Sequence, residues 1–208
     1  MDGLLIVMSG FSGAGKGTLM KRLLNDYEDY VFSVSMTTRA PREGEVDGKD
    51  YFFVTRDRFE EAIENNGLVE YAEYCGNYYG TPKAYVDEQL KKGKNVILDI
   101  EVQGAMQIKE KFPETLMVFV TPPSIEVLLK RLRARGTETE EVIMKRISQA
   151  KLEALVMDKY EYFVVNDNLD DAVKSMNDIV MAAKFSSQRR KDFMEKIQNE
   201  LKQIKENI

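Results

Sequence analysis

Residues 4–18 read Leu4-Leu5-Ile6-Val7-Met8-Ser9-Gly10-Phe11-Ser12-Gly13-Ala14-Gly15-Lys16-Gly17-Thr18. An apolar run of strand length passes straight into a glycine-rich turn. The turn opens a helical pattern over residues 16–25. Apolar side chains at successive positions predict a strand covered on both faces. The spacing Gly10-x4-Gly15-Lys16 then sets three chemistries at one point. The glycines let successive backbone N–H groups turn inward around phosphate oxygens. The helix aims the positive end of its dipole there. The Lys16 ammonium reaches the same oxygens as a point charge.

Working outward, the same rhythm returns. Residues 31–35, 95–100, 116–121 and 162–166 read as buried strands. Helical patterns cover 102–111, 124–135, 138–155 and 169–184. Strands alternating with helices predict an α/β fold: a three-layer parallel sheet with ligands beyond the carboxyl ends of its strands. Residues 37–90 break the rhythm and are richer in Tyr, Gly and charge. Short strands at 51–54, 68–75 and 77–79, with helices at 55–65 and 82–92, predict a small mixed α+β lobe inserted into the core. At the C-terminal end, Met194, Ile197, Leu201, Ile204 and Ile208 are spaced three and four apart among charged residues. That is one apolar stripe on a helix, expected to dock on its own core, with a dimer contact as the alternative. A monomer and a homodimer both remain open.

Composition excludes several chemistries. The chain has 208 residues, no histidine and one cysteine, Cys75. A Ser-His triad and His-based zinc chemistry are ruled out, and so is an internal disulfide. A net charge of −5 argues against a general nucleic-acid binder. The first residues lack a basic region and a long apolar run, so no signal peptide and no membrane partner are expected. A cytoplasmic location follows as an expectation.

Two further clusters carry chemistry. Arg39 and Arg42 stand three apart around Pro41, a spacing that lets two guanidinium groups fork onto one dianionic phosphate. Tyr51 and Tyr79 can add phenolic hydrogen bonds. Arg131 and Arg135 share a helix face, and Thr137-x-x-Glu140 reads as a capping box starting the next helix, which carries Arg146. Arg133 points elsewhere, to solvent.

These residues together resemble one family. The run Gly10–Thr18, with Gly17-Thr18 after the lysine, is similar to the P-loop of nucleoside-monophosphate kinases. Asp99, ending the apolar run of residues 96–98, resembles a Walker B acid. Residues 32–51, Gly76-Asn77-Tyr78-Tyr79-Gly80-Thr81, residues 98–104 and residues 135–141 look like guanylate kinase. The similarity spans about residues 4–184. It implies an enzyme that moves the γ-phosphoryl group of MgATP onto GMP, with a core of 1–36 and 94–184. It also implies a GMP-binding lobe at 37–90, a lid at 124–150 and a C-terminal helix at 185–208. The ATP loop would be Gly10, Ser12, Gly13, Ala14, Gly15, Lys16, Gly17 and Thr18. Thr18 and Asp99 would serve Mg²⁺, directly or through water. Arg39, Arg42, Tyr51 and Tyr79 would grip the GMP phosphate, and Ser35, Glu70 and Thr81 would read the base. Lys16, Arg131, Arg135 and Arg146 would converge on the transferring group. The family more often has Asp where this chain has Glu101, which is expected to face GMP. Phe11 replaces a proline common in the family loop.

Overall fold

The computed structural model describes residues 3–74, 76–134 and 139–205. Cys75, Arg135, Gly136, Thr137, Glu138 and Ile208 therefore lie outside the described residues.

Five strands form the main sheet: β1 (Leu5–Gly10), β2 (Tyr30–Phe32), β7 (Asn95–Asp99), β8 (Leu116–Thr121) and β9 (Tyr162–Val165). Their order is β2-β7-β1-β8-β9, and every neighbouring pair is parallel. Ile6, Val7, Met8, Ile97, Leu98, Met117, Val118 and Phe119 are essentially sealed from solvent. Both faces of the central strands are covered, which is why these segments carry apolar residues without alternation.

The chain leaves β1 through helix α1 (Lys16–Asp26) toward β2. It then turns back, reaching β7 after the inserted lobe and helix α3 (Lys83–Lys91), and β8 after helix α4 (Val102–Lys111). Right-handed crossovers running in opposite directions put their helices on opposite faces. Helix α1 accordingly packs with α7 (Leu169–Lys184), while α3 packs on β7 and α4 on β1. Neighbouring strands β1 and β7 thus send their connections to opposite sides, which opens a crevice beyond their carboxyl ends.

The inserted lobe is a second sheet, ordered β4-β3-β6-β5. Its strands are β3 (Met36–Thr37), β4 (Phe52–Phe53), β5 (Leu68–Tyr74) and β6 (Asn77–Pro82), with helix α2 (Arg56–Glu64) between β4 and β5. The strand expected over 31–35 stops at residue 32, and a separate strand begins at residue 36. Residues 30–32 pair with β7, and residues 36–37 pair with β4 and β6. One short apolar stretch serves two sheets, a division that hydrophobicity alone does not mark.

Helices α5 (Ile125–Ala134) and α6 (Glu140–Ala154) pack on each other. Helix α6 starts later than the sequence suggests, with Thr139 as its cap: its side chain accepts from the Val142 N–H. Glu140 and Glu141 in the first turn suit the positive helix end.

Helix α8 (Lys191–Lys205) forms where expected, but it does not dock on the core. Met194, Ile197, Leu201 and Ile204 are all exposed, Leu201 by 59%. The helix packs mainly on the short 3-10 turn Ser187–Arg190 that precedes it. Periodicity reveals the stripe, but its partner depends on where the preceding turn sends the helix. Among the described residues no helix is long and apolar enough to cross a membrane.

Phe119, on the inner strand β8, is fully buried, with Phe11 and Tyr160 edge-on at 5.1 Å each. Phe119→Ala should lower unfolding free energy by about 3–5 kcal/mol, read as a fall in the urea midpoint at an unchanged slope.

Candidate active site

Gly10 ends β1 at φ +153, and a Cβ there would sit 2.1 Å from the Val120 carbonyl oxygen. Only glycine lets the loop leave the sheet so close to β8. Helix α1 begins at Lys16 with no side chain bonded to its cap and no acid in its first turn. Its first N–H groups are left for an anion. Lys16 Nζ donates to the Gly10 carbonyl at 2.7 Å, so the ammonium bridges the loop. Gly17 and Thr18 are exposed on the first helical turn, and Thr18 does not line the cavity described next.

A cavity of about 230 Å³ opens over this loop, lined by Ser9, Gly10, Ser12, Lys16, Asp99, Glu101 and Glu153 among others. Ser9 Oγ donates to the Ile100 carbonyl at 2.8 Å and ties the two crevice loops together. Asp99 is exposed to the cleft at the end of β7, where neighbouring protein partly desolvates it. That desolvation raises its pKa against the lowering pull of Lys16.

The lid helices reach this loop through two arginines. Arg131 Nη1 lies 3.4 Å from the Ala14 carbonyl oxygen. Arg146 Nη1 donates to Ser12 Oγ. Arg133 is exposed and pairs with Glu140 at 2.6 Å, as its helix face predicts. Glu153 also faces Lys16, and was missed in the sequence. Burial raises its pKa, Lys16 and a bond from Gln149 lower it, and Glu101 raises it. Its seven-residue spacing from Arg146, two helical turns, was the available signal.

A second cavity of about 360 Å³ lies against the small sheet, lined by Ser35, Tyr51, Glu70, Tyr79, Glu101 and Gly104 among others. Leu68, Val69 and Glu70 are all buried, which a regular strand with alternating faces would not allow. The register supplies the reason. Leu68 faces Pro82 and Tyr71 faces Gly80, so β5 carries one residue more than β6 at this point. Such a bulge re-aims a side chain. Here it brings Glu70 inside, 6% exposed. Desolvation raises the Glu70 pKa; the Thr81 hydrogen bond and Lys111 pull it back down.

Thr81 is buried and donates its hydroxyl to Glu70 Oε1 at 2.7 Å. It stands beside the carboxylate that lines the cavity and holds one of its oxygens. Arg39 lies beside Tyr51, 5.4 Å from the ring centre, and the Tyr51 and Tyr79 rings are 6.0 Å apart. Glu45, unnoticed in the sequence, accepts from Arg39 Nη2 at 2.8 Å and from the Arg42 backbone N–H at 2.7 Å. The Arg42 side chain is exposed and does not line the cavity. Glu101 caps α4 by position but makes no capping bond, so its carboxylate is not spent on its own helix.

Asp99, Ile100 and Glu101 line both cavities. A phosphate loop and a second, acid-lined cavity share one wall at the carboxyl edge of a parallel sheet. That arrangement is a phosphate-binding loop beside a second ligand cavity, at the crevice where open α/β sheets bind ligands. Comparison with known proteins specifies the family. A family model described as guanylate kinase matches residues 3–183. The guanylate kinase of Lactococcus lactis subsp. lactis is 52% identical over 187 residues, covering 90% of this chain and 91% of that protein. The guanylate kinase of Bacillus subtilis is 50% identical over 188 residues, covering 90% and 92%. The crystal structure of guanylate kinase from Anaplasma phagocytophilum superposes with a TM-score of 0.69 at 32% identity, covering 90% of this chain and 89% of that one. The chain belongs to the guanylate kinase family.

Proposed function

We propose that this chain transfers the γ-phosphoryl group of ATP to GMP, giving ADP and GDP, and that dGMP is a second acceptor. The observation that carries this reading is the wall Asp99–Glu101 common to the two cavities. It lets two nucleotides meet end to end, each held by different residues.

On the donor side, the Gly10–Lys16 loop holds the ATP phosphates. Lys16, Arg131 and Arg146, with Arg135 from outside the described residues, offset charge on the transferring oxygens. On the acceptor side, Arg39, Tyr51 and Tyr79, with Arg42 swinging in from the surface, hold the GMP phosphate. For this the phosphate must compete with Glu45 for Arg39. Ser35 donates to guanine O6, and Glu70 accepts from guanine N1–H and the 2-amino group. Thr81 reads the base beside them, and its hydroxyl also holds Glu70. Adenine lacks the N1 donor and would leave Glu70 buried and unpaired, a mismatch worth about 10⁴-fold in discrimination. None of these contacts requires the ribose 2′-hydroxyl, hence dGMP. An oxygen of the GMP phosphate attacks the γ-phosphorus as the bond to the ADP oxygen breaks. Residues 37–90 and 124–150 close over the pair and exclude water.

The donor set suits Mg²⁺. Among the described residues no cluster of three or more acids, Cys or His could cage a metal. Mg²⁺ beside nucleotides takes phosphates, waters and one or two protein oxygens. Asp99 and Thr18 would supply the latter, directly or through water. The ion would neutralise phosphate charge. We place the enzyme in the cytoplasm, on its nucleotide substrates and its single cysteine.

The exposed α8 stripe favours a homodimer over a monomer. An apolar face flanked by Glu and Lys residues can be self-complementary about a two-fold axis. Light scattering should give twice the chain mass, and Leu201→Glu should halve it; a wild-type monomer would count against the dimer.

A coupled ADP-release assay tests the activity. GMP and dGMP should be phosphorylated, with AMP, CMP and UMP slower by about 10⁴-fold. An enzyme equally fast on AMP would refute the assignment. Because Glu70 must be ionised to accept from guanine, GMP use should be intact above its raised pKa and fail as pH falls through it. The acid limb of kcat/KM for GMP should lie above the ordinary glutamate range.

A further inference from the structure

Asn166 follows the last residue of β9 and is 6% exposed. Its backbone N–H donates to the Thr121 carbonyl at 2.8 Å, which fixes it at the carboxyl edge of the sheet. Its side-chain Nδ2 donates to the Ala14 carbonyl at 2.9 Å, across 152 residues of sequence. Arg131 approaches the same oxygen at 3.4 Å. In a planar trans peptide the C=O and the following N–H point in opposite directions. Holding the Ala14 carbonyl toward β9 therefore commits the Gly15 N–H to the opposite side. Gly15 itself reports the fit. It lies at φ +91, and a Cβ there would stand 2.4 Å from Asn166 Nδ2. The glycine is needed for its backbone angle and also for the approach of the amide.

We propose that Asn166 is a positioning residue for phosphoryl transfer. Its amide locks the Ala14–Gly15 peptide so that the Gly15 N–H is presented to the donor phosphates before ATP arrives. Arg131 touches the same carbonyl, so the lid and the sheet edge act on one peptide. Pre-orienting a donor removes the cost of ordering it on binding. The inference rests on reading Gly10–Lys16 as the ATP loop.

The test is calorimetric titration of ADP, which carries the cradle phosphates, and separately of GMP. Asn166→Ala removes the donor. Asn166→Asp, at pH 8.5, keeps the shape and turns an acceptor toward the carbonyl. Both should weaken ADP by roughly 10-fold or more, as expected for a buried hydrogen bond lost and its partner left unpaired. GMP affinity should stay within about twofold, below the size of such a loss. Unchanged ADP affinity in either folded variant overturns the proposal, as does an equal loss for ADP and GMP. If Asn166→Ala does not fold, the isosteric Asp variant decides alone. Lys16→Ala is the control. If it leaves ADP binding intact, the loop assignment fails. If it abolishes ADP binding while the Asn166 variants do not, only the role of Asn166 fails.

Discussion

The structure depends on β1 and β7 lying side by side while their connections leave to opposite faces of the sheet. A helix cannot cover the gap between them without reversing the hand of a crossover. The carboxyl ends of the two strands therefore stay open. One sends out the glycine loop, the other the Asp99–Glu101 turn, and the Ser9–Ile100 hydrogen bond holds the two in register. The rest of the chain brings charge to this gap or covers it.

Charge is the second constraint. The protein is acidic overall, yet its site must bind two polyanions. It concentrates cations locally and sets each against a specific oxygen: Lys16 on the Gly10 carbonyl, Arg131 near Ala14, Arg146 on Ser12, Arg39 on Glu45. These groups sit on neutral oxygens or, for Arg39, on one carboxylate. Acids in the cleft, Asp99 and Glu70, feel the opposite force. Partial desolvation at Asp99 and burial at Glu70 raise their pKa, and nearby donors or Lys side chains restrain it. Charge-assisted bonds are stronger than neutral ones, which favours substrates that complete the set.

Much of this was legible from residue order, for identifiable reasons. The glycine loop is contiguous, so its spacing, strand and helix are all local. The apolar runs of the sheet record burial on both faces directly. Arg133 could be assigned to solvent from helical phase. Other features were not local. The division of residues 30–37 between two sheets depends on which edges are unpaired nearby. The exposed stripe of α8 depends on the direction set by the 3-10 turn before it. Glu45 and Glu153 are ordinary acidic positions until folding brings Arg39 and Lys16 to them.

The sequence by itself determined the doubly covered sheet, the phosphate loop and the identity of the acidic and basic groups. These follow from periodicity and from backbone freedom over a few adjacent residues. Only the tertiary structure decided how those groups are aimed. A one-residue bulge turned Glu70 inward, Thr81 became its support, and Asn166 met Ala14 from the far end of the chain. Hydrogen bonds depend on distance and angle between atoms. Linear order does not set those distances and angles when the partners lie many residues apart.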